Sequence, residues 1–277
     1  MDQKKSASGL SLAIRKTLFS FKNNSSLVEK SNAGEFTIKV ANTLEEREAV
    51  FNLAYQVYLK KGYIKENENE WLIQSYDTNS ETIILIVQDR QKNIAGTITL
   101  VFDGDSKLPA EKIYNNELKL LRSSGKKMVE ISRLVISHEH RNSKEILVLL
   151  FNYLAIITHH VKNYHGIITQ VNPRHKTYYK SLLRFDEIGG EKPCPIVQNA
   201  PAVLLYLATS TYLSEITRKC AELKVENKNR SLYPYFIRAE QESLVAHYLA
   251  KQIRPMSMEE KIYFGLSESG IGKSVCV

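Results

Sequence analysis

The sequence predicts an α/β protein built on a mixed central sheet flanked by helices. Strand and helix patterns alternate from residue 36 to about residue 210, and 43% hydrophobic residues in a chain of 277 suffice for a real core. The stretch MVEISRLVISHEHRNSKEILVLLFNYLAIITHH, Met128 to His160, runs from a strand through a polar loop into a long apolar helix. The rest of the chain is organised around it.

Taken in order, residues 1–34 form a basic amphipathic or flexible segment. Acids occur in the first 30 residues only at Asp2 and Glu29, while Lys4, Lys5, Arg15, Lys16 and Lys22 interleave with large apolar residues. The run is too broken for a secretory signal or a membrane span. Residues 9–22 therefore either contact a membrane surface peripherally or form a tail that docks or frays, and both readings stay open.

FTIKVA from Phe36 gives a first strand by alternation, and Thr43 with Glu46 makes a capping box for a helix. Its apolar stripe is Val50, Leu53, Ala54, Val57 and Tyr58, and Gly62 ends it. A polar segment then leads through Tyr76 and Asp77 to two strands, TIILIVQD and NIAGTITLVFD, joined as a hairpin by a turn at Arg90 to Lys92. AEKIYNNELKLLR forms a short helix before the central strand.

In that strand Val129, Ile131 and Val135 alternate with Glu130, Ser132 and Leu134. Ionisable groups inside an apolar strand are costly to bury and need partners or a cleft. Glu130 and Ser132 share one face of a regular strand and Arg133 lies on the other, so joint use of Glu130 and Arg133 requires a bulge or an open end. The next loop has no glycine; Asn142 caps the long helix with Glu145, which leaves a positive dipole end facing off the strand.

Further on, GIITQVNP is a buried strand and HKTYYKSLLRF a helix; a turn-rich segment with Gly189, Gly190, Pro193 and Pro195 precedes the last strand, AVLLYLAT. Residues 211–265 carry two or three amphipathic helices, with Ile216, Cys220 and Leu223 on one stripe and Leu244, Tyr248 and Ile253 on another. The divisions are thus 1–34, an α/β domain at 35–210, and a helical C-terminal extension at 211–277 packed on it.

A net charge of +8 and a pI near 9.2 favour an acidic partner. The basic residues are dispersed with no recognition motif, so nucleic acid is not expected. Cys194, Cys220 and Cys276 show no CxxC spacing, which points to reduced thiols in the cytoplasm and no metal framework. His138, His140, His159 and His160 belong to no HExxH pair and read as surface histidines.

The strand, loop and helix at 128–160, with the strand and Tyr-bearing helix that follow, resemble the acyl-donor-binding core of the GNAT acyltransferase superfamily. EISRLVIS resembles the E-x-S-R strand of the acyl-homoserine-lactone synthases. LAYQVYLKKGYI, DGDSKLPAEKIYNNELKLLR, EISRLVIS, NPRHKTYYKSLLRF and APAVLLYL together resemble the long-chain N-acyl amino acid synthases, bacterial relatives that use acyl carrier protein. The chain departs from that pattern at Ala54, near Thr99 and at Arg184, where the family has Arg, Arg and Gly.

This resemblance implies a mostly antiparallel GNAT-like sheet. It also implies transfer of a fatty acyl group from an acyl carrier protein thioester, or from acyl-CoA, to a small amine or amino acid. Such a transfer needs a base for the ammonium proton, a donor at the thioester carbonyl and an acid for the thiolate. Glu130 is the expected base, its pKa raised by burial, and Tyr179 or its neighbour Tyr178 the acid. Arg133, Ser132, Tyr58 and Asp77 fall on the acceptor side.

The same resemblance implies that Leu134, Ile136, Arg141, Asn142, Ser143, Lys144 and Asn172 surround the donor's phosphopantetheine. Lys126, Lys127, Arg141 and Lys144 suit an acidic carrier helix, and the resemblance implies an acyl tunnel that the long helix helps to line. No glycines let backbone N–H groups approach a pyrophosphate after Ile136, which favours the single phosphodiester of a carrier protein over free CoA. A CoA-dependent acyltransferase and a non-catalytic module of the same fold are the alternatives.

Overall fold

The computed structural model describes residues 36–104, 106–222, 232, 236–237 and 239–266. The basic segment at 9–22 lies outside the described residues, as do the side chains of the stripe Ile216, Cys220 and Leu223.

Seven strands form one sheet in the order β1-β2-β3-β4-β5-β7-β6. They are β1 Thr37–Val40, β2 Ile83–Gln88, β3 Ile94–Phe102, β4 Met128–Ile136, β5 Gly166–Val171, β6 Asp186–Cys194 and β7 Ala200–Ala208. Every pairing is antiparallel except β4 with β5. Among the described residues the α-helices are α1 Leu44–Lys60, α2 Glu111–Ser123, α3 Lys144–Ile156, α4 Pro173–Leu183, α5 Thr209–Glu222, α6 Ala239–Ala250 and α7 Met258–Tyr263. The architecture is the mixed, mostly antiparallel one expected.

Alternation along the strands sorts the core into two layers. On one face Leu85, Ile98, Leu100, Val129, Ile131 and Leu205 pack with α3, α4 and α6; on the other, Ile84 and Ile86 meet α1 and the chain around α7, while Met128, Ile168 and Leu204 meet α2. Coverage on both faces explains why β2 is a continuous apolar run. By length and composition Lys144–Val161 suffices to cross a bilayer, yet 56% of it is buried here, as in a core helix.

Several local expectations change. Ser143, not Asn142, caps α3, accepting from the Ile146 N–H at 3.4 Å. A 3-10 turn at His138–His140 occupies the preceding residues and delays the helix by one position. Thr43 caps α1 as expected, but Glu46 reaches back to the N–H of Asn42 rather than to that of Thr43. The α1 stripe divides: Val50, Phe51, Ala54 and Tyr55 are buried, while Leu53, Val57 and Tyr58 are half-buried and line a cavity.

The segment read as turn-rich is strand β6. It tolerates Pro193 because it is an edge strand, and Gly189 because a Cβ there would lie 2.7 Å from the Tyr114 ring. On α6 the inward face is Glu242, Val245, Ala246 and Leu249, leaving Leu244 and Tyr248 exposed. Glu242 turns inward because it has partners there: His160 Nε2 lies 2.7 Å from one carboxylate oxygen, and the Tyr212 hydroxyl donates to the other at 3.1 Å. His160 is accordingly a packing partner of α6 rather than a plain surface residue.

Candidate active site

Parallel pairing of β4 with β5 runs from Met128↔Gly166 to Ile131↔Thr169 and stops. Beyond it β4 continues to Ile136 without a β5 partner, so its main-chain groups on that side are open. The divergence coincides with a bulge: Thr99 pairs with Ser132 and Thr97 with Val135, leaving Ile98 opposite both Arg133 and Leu134. Arg133 has φ +44°, in the left-handed region that non-glycine residues occupy only under constraint. Joint use of Glu130 and Arg133 required a bulge or an open end; the bulge is present, but it turns Arg133 to Asp77 rather than to a shared site with Glu130.

The constraint is a dense set of contacts. Arg133 Nη1 donates to Leu72 O at 2.7 Å and to Asp77 Oδ2 at 2.9 Å; Nη2 donates to Asp77 Oδ1 and, at 3.1 Å, to Thr99 Oγ1. The guanidinium also lies 5.2 Å from the ring centres of Phe51 and Tyr76. Arg133 and Asp77 are both buried, so the pair fixes the bulge, and neither terminal nitrogen is open for a bidentate grip on an acceptor carboxylate. Arg133 does not pair with Glu130. Thr99 and Ala54, two of the departures from the family pattern, are an acceptor for Arg133 and a fully buried packing residue.

Glu130 is 1% exposed. One carboxylate oxygen accepts the Ala110 N–H at 2.8 Å and the other the Gln170 side-chain amide at 2.8 Å. Burial pushes its pKa up to about 7, those two hydrogen bonds opposing the rise. Ser132 Oγ lies 2.8 Å from the Tyr76 hydroxyl.

These groups face a cavity of about 1130 Å³. Of the predicted residues, Glu130, Ser132, Arg133, Leu134, Ile136, Arg141, Asn172, Tyr58, Tyr178 and Tyr179 line it, and Asp77 acts through Arg133. Asn142, Ser143 and Lys144 do not, because the His138–His140 turn, tied by Ser137 Oγ to His140 Nδ1 at 2.9 Å, sets the helix end back. Lys126 and Lys127 precede the opposite end of β4, away from the opening. Leu147 alone of α3 reaches the cavity, so the long helix contributes one side chain to its wall and packs mainly in the core.

Tyr179 packs edge-on against Phe151 and Phe185, and burial raises its phenol well above the ordinary value. Tyr178 is pushed up to about 12. Arg184 takes φ +63° at the end of α4, the left-handed cap for which the family uses glycine.

Sequence reasoning missed the opposite rim. Lys60, Lys61 and His175 line the cavity, and Arg174, beside them, donates to the Tyr63 hydroxyl at 2.9 Å. Burial and the Arg174 charge depress Lys61; burial, Arg174 and Lys61 depress His175. No carboxylate pairs with Lys61 or Arg174 among the described residues. A signal was present: Arg174 and Lys176 open α4, the end of a helix where cations are disfavoured. Gln170 and Tyr76, 40 and 56 residues from their partners, gave no local signal.

Residues 49–208 match the family described as N-acyl amino acid synthase FeeM. Among solved structures the fold is similar to that of FeeM, an N-acyl amino acid synthase from uncultured soil microbes, with 24% identity over 65% of this chain and 93% of that one and a TM-score of 0.57. Similarity extends to the acyl-homoserine-lactone synthase LasI (16% identity, 64% of this chain and 91% of that one, TM-score 0.49). It extends also to MesI, a CoA-dependent acyl-homoserine lactone synthase (15%, 70% and 98%, 0.48). No curated protein sequence matches the chain.

Proposed function

As the chain belongs to the N-acyl amino acid synthase FeeM family, and so is an acyltransferase, we propose that it joins a long-chain fatty acyl group from an acyl carrier protein thioester to the amine of an amino acid. The observation that carries this reading is Glu130, a buried carboxylate with a pKa near 7 in the cavity wall where β4 parts from β5. A base titrating near the working pH is half ready to accept a proton and half able to release it.

In this reading the ammonium of the acceptor gives one proton to Glu130. The free amine attacks the thioester carbonyl, whose oxygen is held by open main-chain N–H groups of β4 beyond Ile131. The C–N bond forms and the C–S bond breaks. The second amine proton passes to the departing thiolate, and Glu130 returns its own to solvent. Tyr179, its phenol raised by burial, serves as a hydrogen-bond donor and relay at the sulfur rather than as a source of net protons. Arg133 and Asp77 are positioning residues that hold the bulge and hence the carbonyl site.

Two features support the carrier-bound donor. The loop after Ile136 has no glycine cradle for a pyrophosphate, and Lys60, Lys61, Arg141 and Arg174 bring positive charge to the cavity mouth. Leu53, Val57, Leu147 and Val197 give the cavity apolar walls, and its size exceeds the usual range for small-molecule sites, which supports a long acyl chain. The test is kcat/KM for an acyl carrier protein thioester and the matching acyl-CoA in one preparation. The carrier-bound donor should win at least about tenfold, near 1.4 kcal/mol in transition-state binding. A preference for the CoA thioester would replace this donor with the CoA-dependent alternative.

A further inference from the structure

The pairing of β4 with β5 ends at Ile131↔Thr169, which makes Gln170 the first residue of β5 beyond the last pair. Gln170 lies two residues past Ile168, the partner of Glu130, and so shares the Glu130 face of the sheet. Its half-buried side chain lines the cavity, and its Nε2 donates to one Glu130 carboxylate oxygen at 2.8 Å. The other end of the same amide is unused: Gln170 Oε1 is buried and accepts no hydrogen bond from the described residues. Neighbouring polar groups are engaged elsewhere. Thr169 Oγ1 donates to Ile131 O at 3.3 Å, and Ser132 Oγ lies 2.8 Å from the Tyr76 hydroxyl.

A buried amide carbonyl without a donor is costly, and folded proteins hold few of them. One that is joined to the base, in the wall of the cavity where a nucleophile must sit, suits an N–H of that nucleophile. The number of hydrogens on the acceptor decides what satisfies it. An ammonium brings three: one goes to Glu130, one to the departing thiolate, and the third stays in the amide product. That third N–H is available to Gln170 Oε1 throughout the attack, with the nitrogen lone pair left for the thioester carbonyl. A hydroxyl has a single hydrogen, which passes through Glu130 to the thiolate as the C–O bond forms and the C–S bond breaks. Gln170 Oε1 then faces only oxygen lone pairs and stays unsatisfied.

We propose that Gln170 is a specificity-determining residue: its Nε2 orients Glu130 while its Oε1 takes the N–H that the amide product retains, so that amines are acylated in preference to hydroxyl groups. The inference rests on the acyl-transfer reading and adds the residue that makes the transfer selective for nitrogen. The two ends of the amide are also coupled. The Nε2 hydrogen bond opposes the rise of the Glu130 pKa, so its loss moves the base further up.

The test uses the full-length protein with one acyl donor and two acceptors, an amino acid and the α-hydroxy acid with the same side chain. The readout is the ratio of kcat/KM for amide and ester formation, in which any loss common to both acceptors cancels. Gln170→Met, similar in length at a half-buried position, should lower that ratio about tenfold or more, the scale of a lost hydrogen bond at a charged site. The same variant should move the pH at which activity levels off upward from about 7. Gln170→Glu restores an oxygen acceptor and sets a second carboxylate beside Glu130, so it should hold the ratio above that of Gln170→Met and move the rise to higher pH still. Calorimetric titration of the two acceptors into parent and Gln170→Met protein reads the same discrimination without turnover: the parent should bind the amino acid more tightly, and the variant should narrow the margin about tenfold. A residue that only packs the parted strands would slow both acceptors alike and leave the pH rise in place. A ratio or binding margin unchanged in Gln170→Met, or an unmoved pH rise, overturns the proposal. If the parent acylates neither acceptor, the proposed function fails, and the titration still decides the role of Gln170.

Discussion

Glu130→Gln should abolish acyl transfer and, above neutral pH, make the protein more stable. The carboxyl is 1% exposed and its pKa is raised from 4.5 to about 7. Below about pH 4 it is protonated in folded and unfolded chains alike, and its titration costs nothing. Between 4.5 and about 7 the unfolded chain ionises while the folded one still holds the proton, so the native state loses ground; above about 7 the loss is complete. A shift of about 2.5 pH units corresponds to about 3 kcal/mol. The glutamine amide does not titrate. Its oxygen can take the Ala110 N–H, and a rotated Gln170 amide can accept from its nitrogen through an oxygen that has no protein partner now. Urea unfolding at about pH 4 should show the two proteins alike, and at about pH 9 the variant ahead by an amount of this order. Parent kcat/KM should climb with pH and level off above about 7. A variant that keeps its activity, or that gains nothing at high pH, would refute the assignment.

Asp77→Ala leaves the Arg133 charge buried and unpaired and should cost about 3–5 kcal/mol in urea unfolding, with activity lost alongside the bulge. Lys61→Glu together with Arg174→Glu should lower kcat/KM for the carrier-bound donor roughly tenfold, more at low salt, and barely alter use of a short pantetheine thioester. Equal slowing of both donors would remove these bases from carrier binding. Gly189→Ala sets a methyl against a Tyr114 ring whose hydroxyl is anchored to Gly190 O and Ala202 O. Overpacking of this kind should cost about 1–3 kcal/mol, read from the shift in the urea midpoint.

Much of the sheet was legible because apolar alternation and capping residues act locally. The Thr43 cap, the hairpin at Arg90 to Lys92 and the strand at 128–136 stand where their patterns put them. The alternation put Arg133 on the face opposite Glu130 and left a bulge or an open end as the ways to bring the two together; the bulge that forms serves the Arg133–Asp77 pair instead. What escaped depends on distant partners or on context that reverses a local preference. Strand β6 carries residues that usually mark turns, admitted because an edge position and a tyrosine ring suit them. Glu242 faces inward because His160, 82 residues away, receives it. The fate of Arg133 was set by Asp77, 56 residues earlier, and an isolated strand cannot show that its cation is already spoken for.

Acyl transfer with Glu130 as base is tested most directly by mass spectrometry of a purified reaction containing a long-chain acyl carrier protein thioester and a panel of amino acids. The parent should yield the N-acyl amino acid with one free carrier thiol for each amide formed, and Glu130→Gln neither. Release of unconjugated fatty acid alone, or the same amide yield from the glutamine variant, would contradict the account.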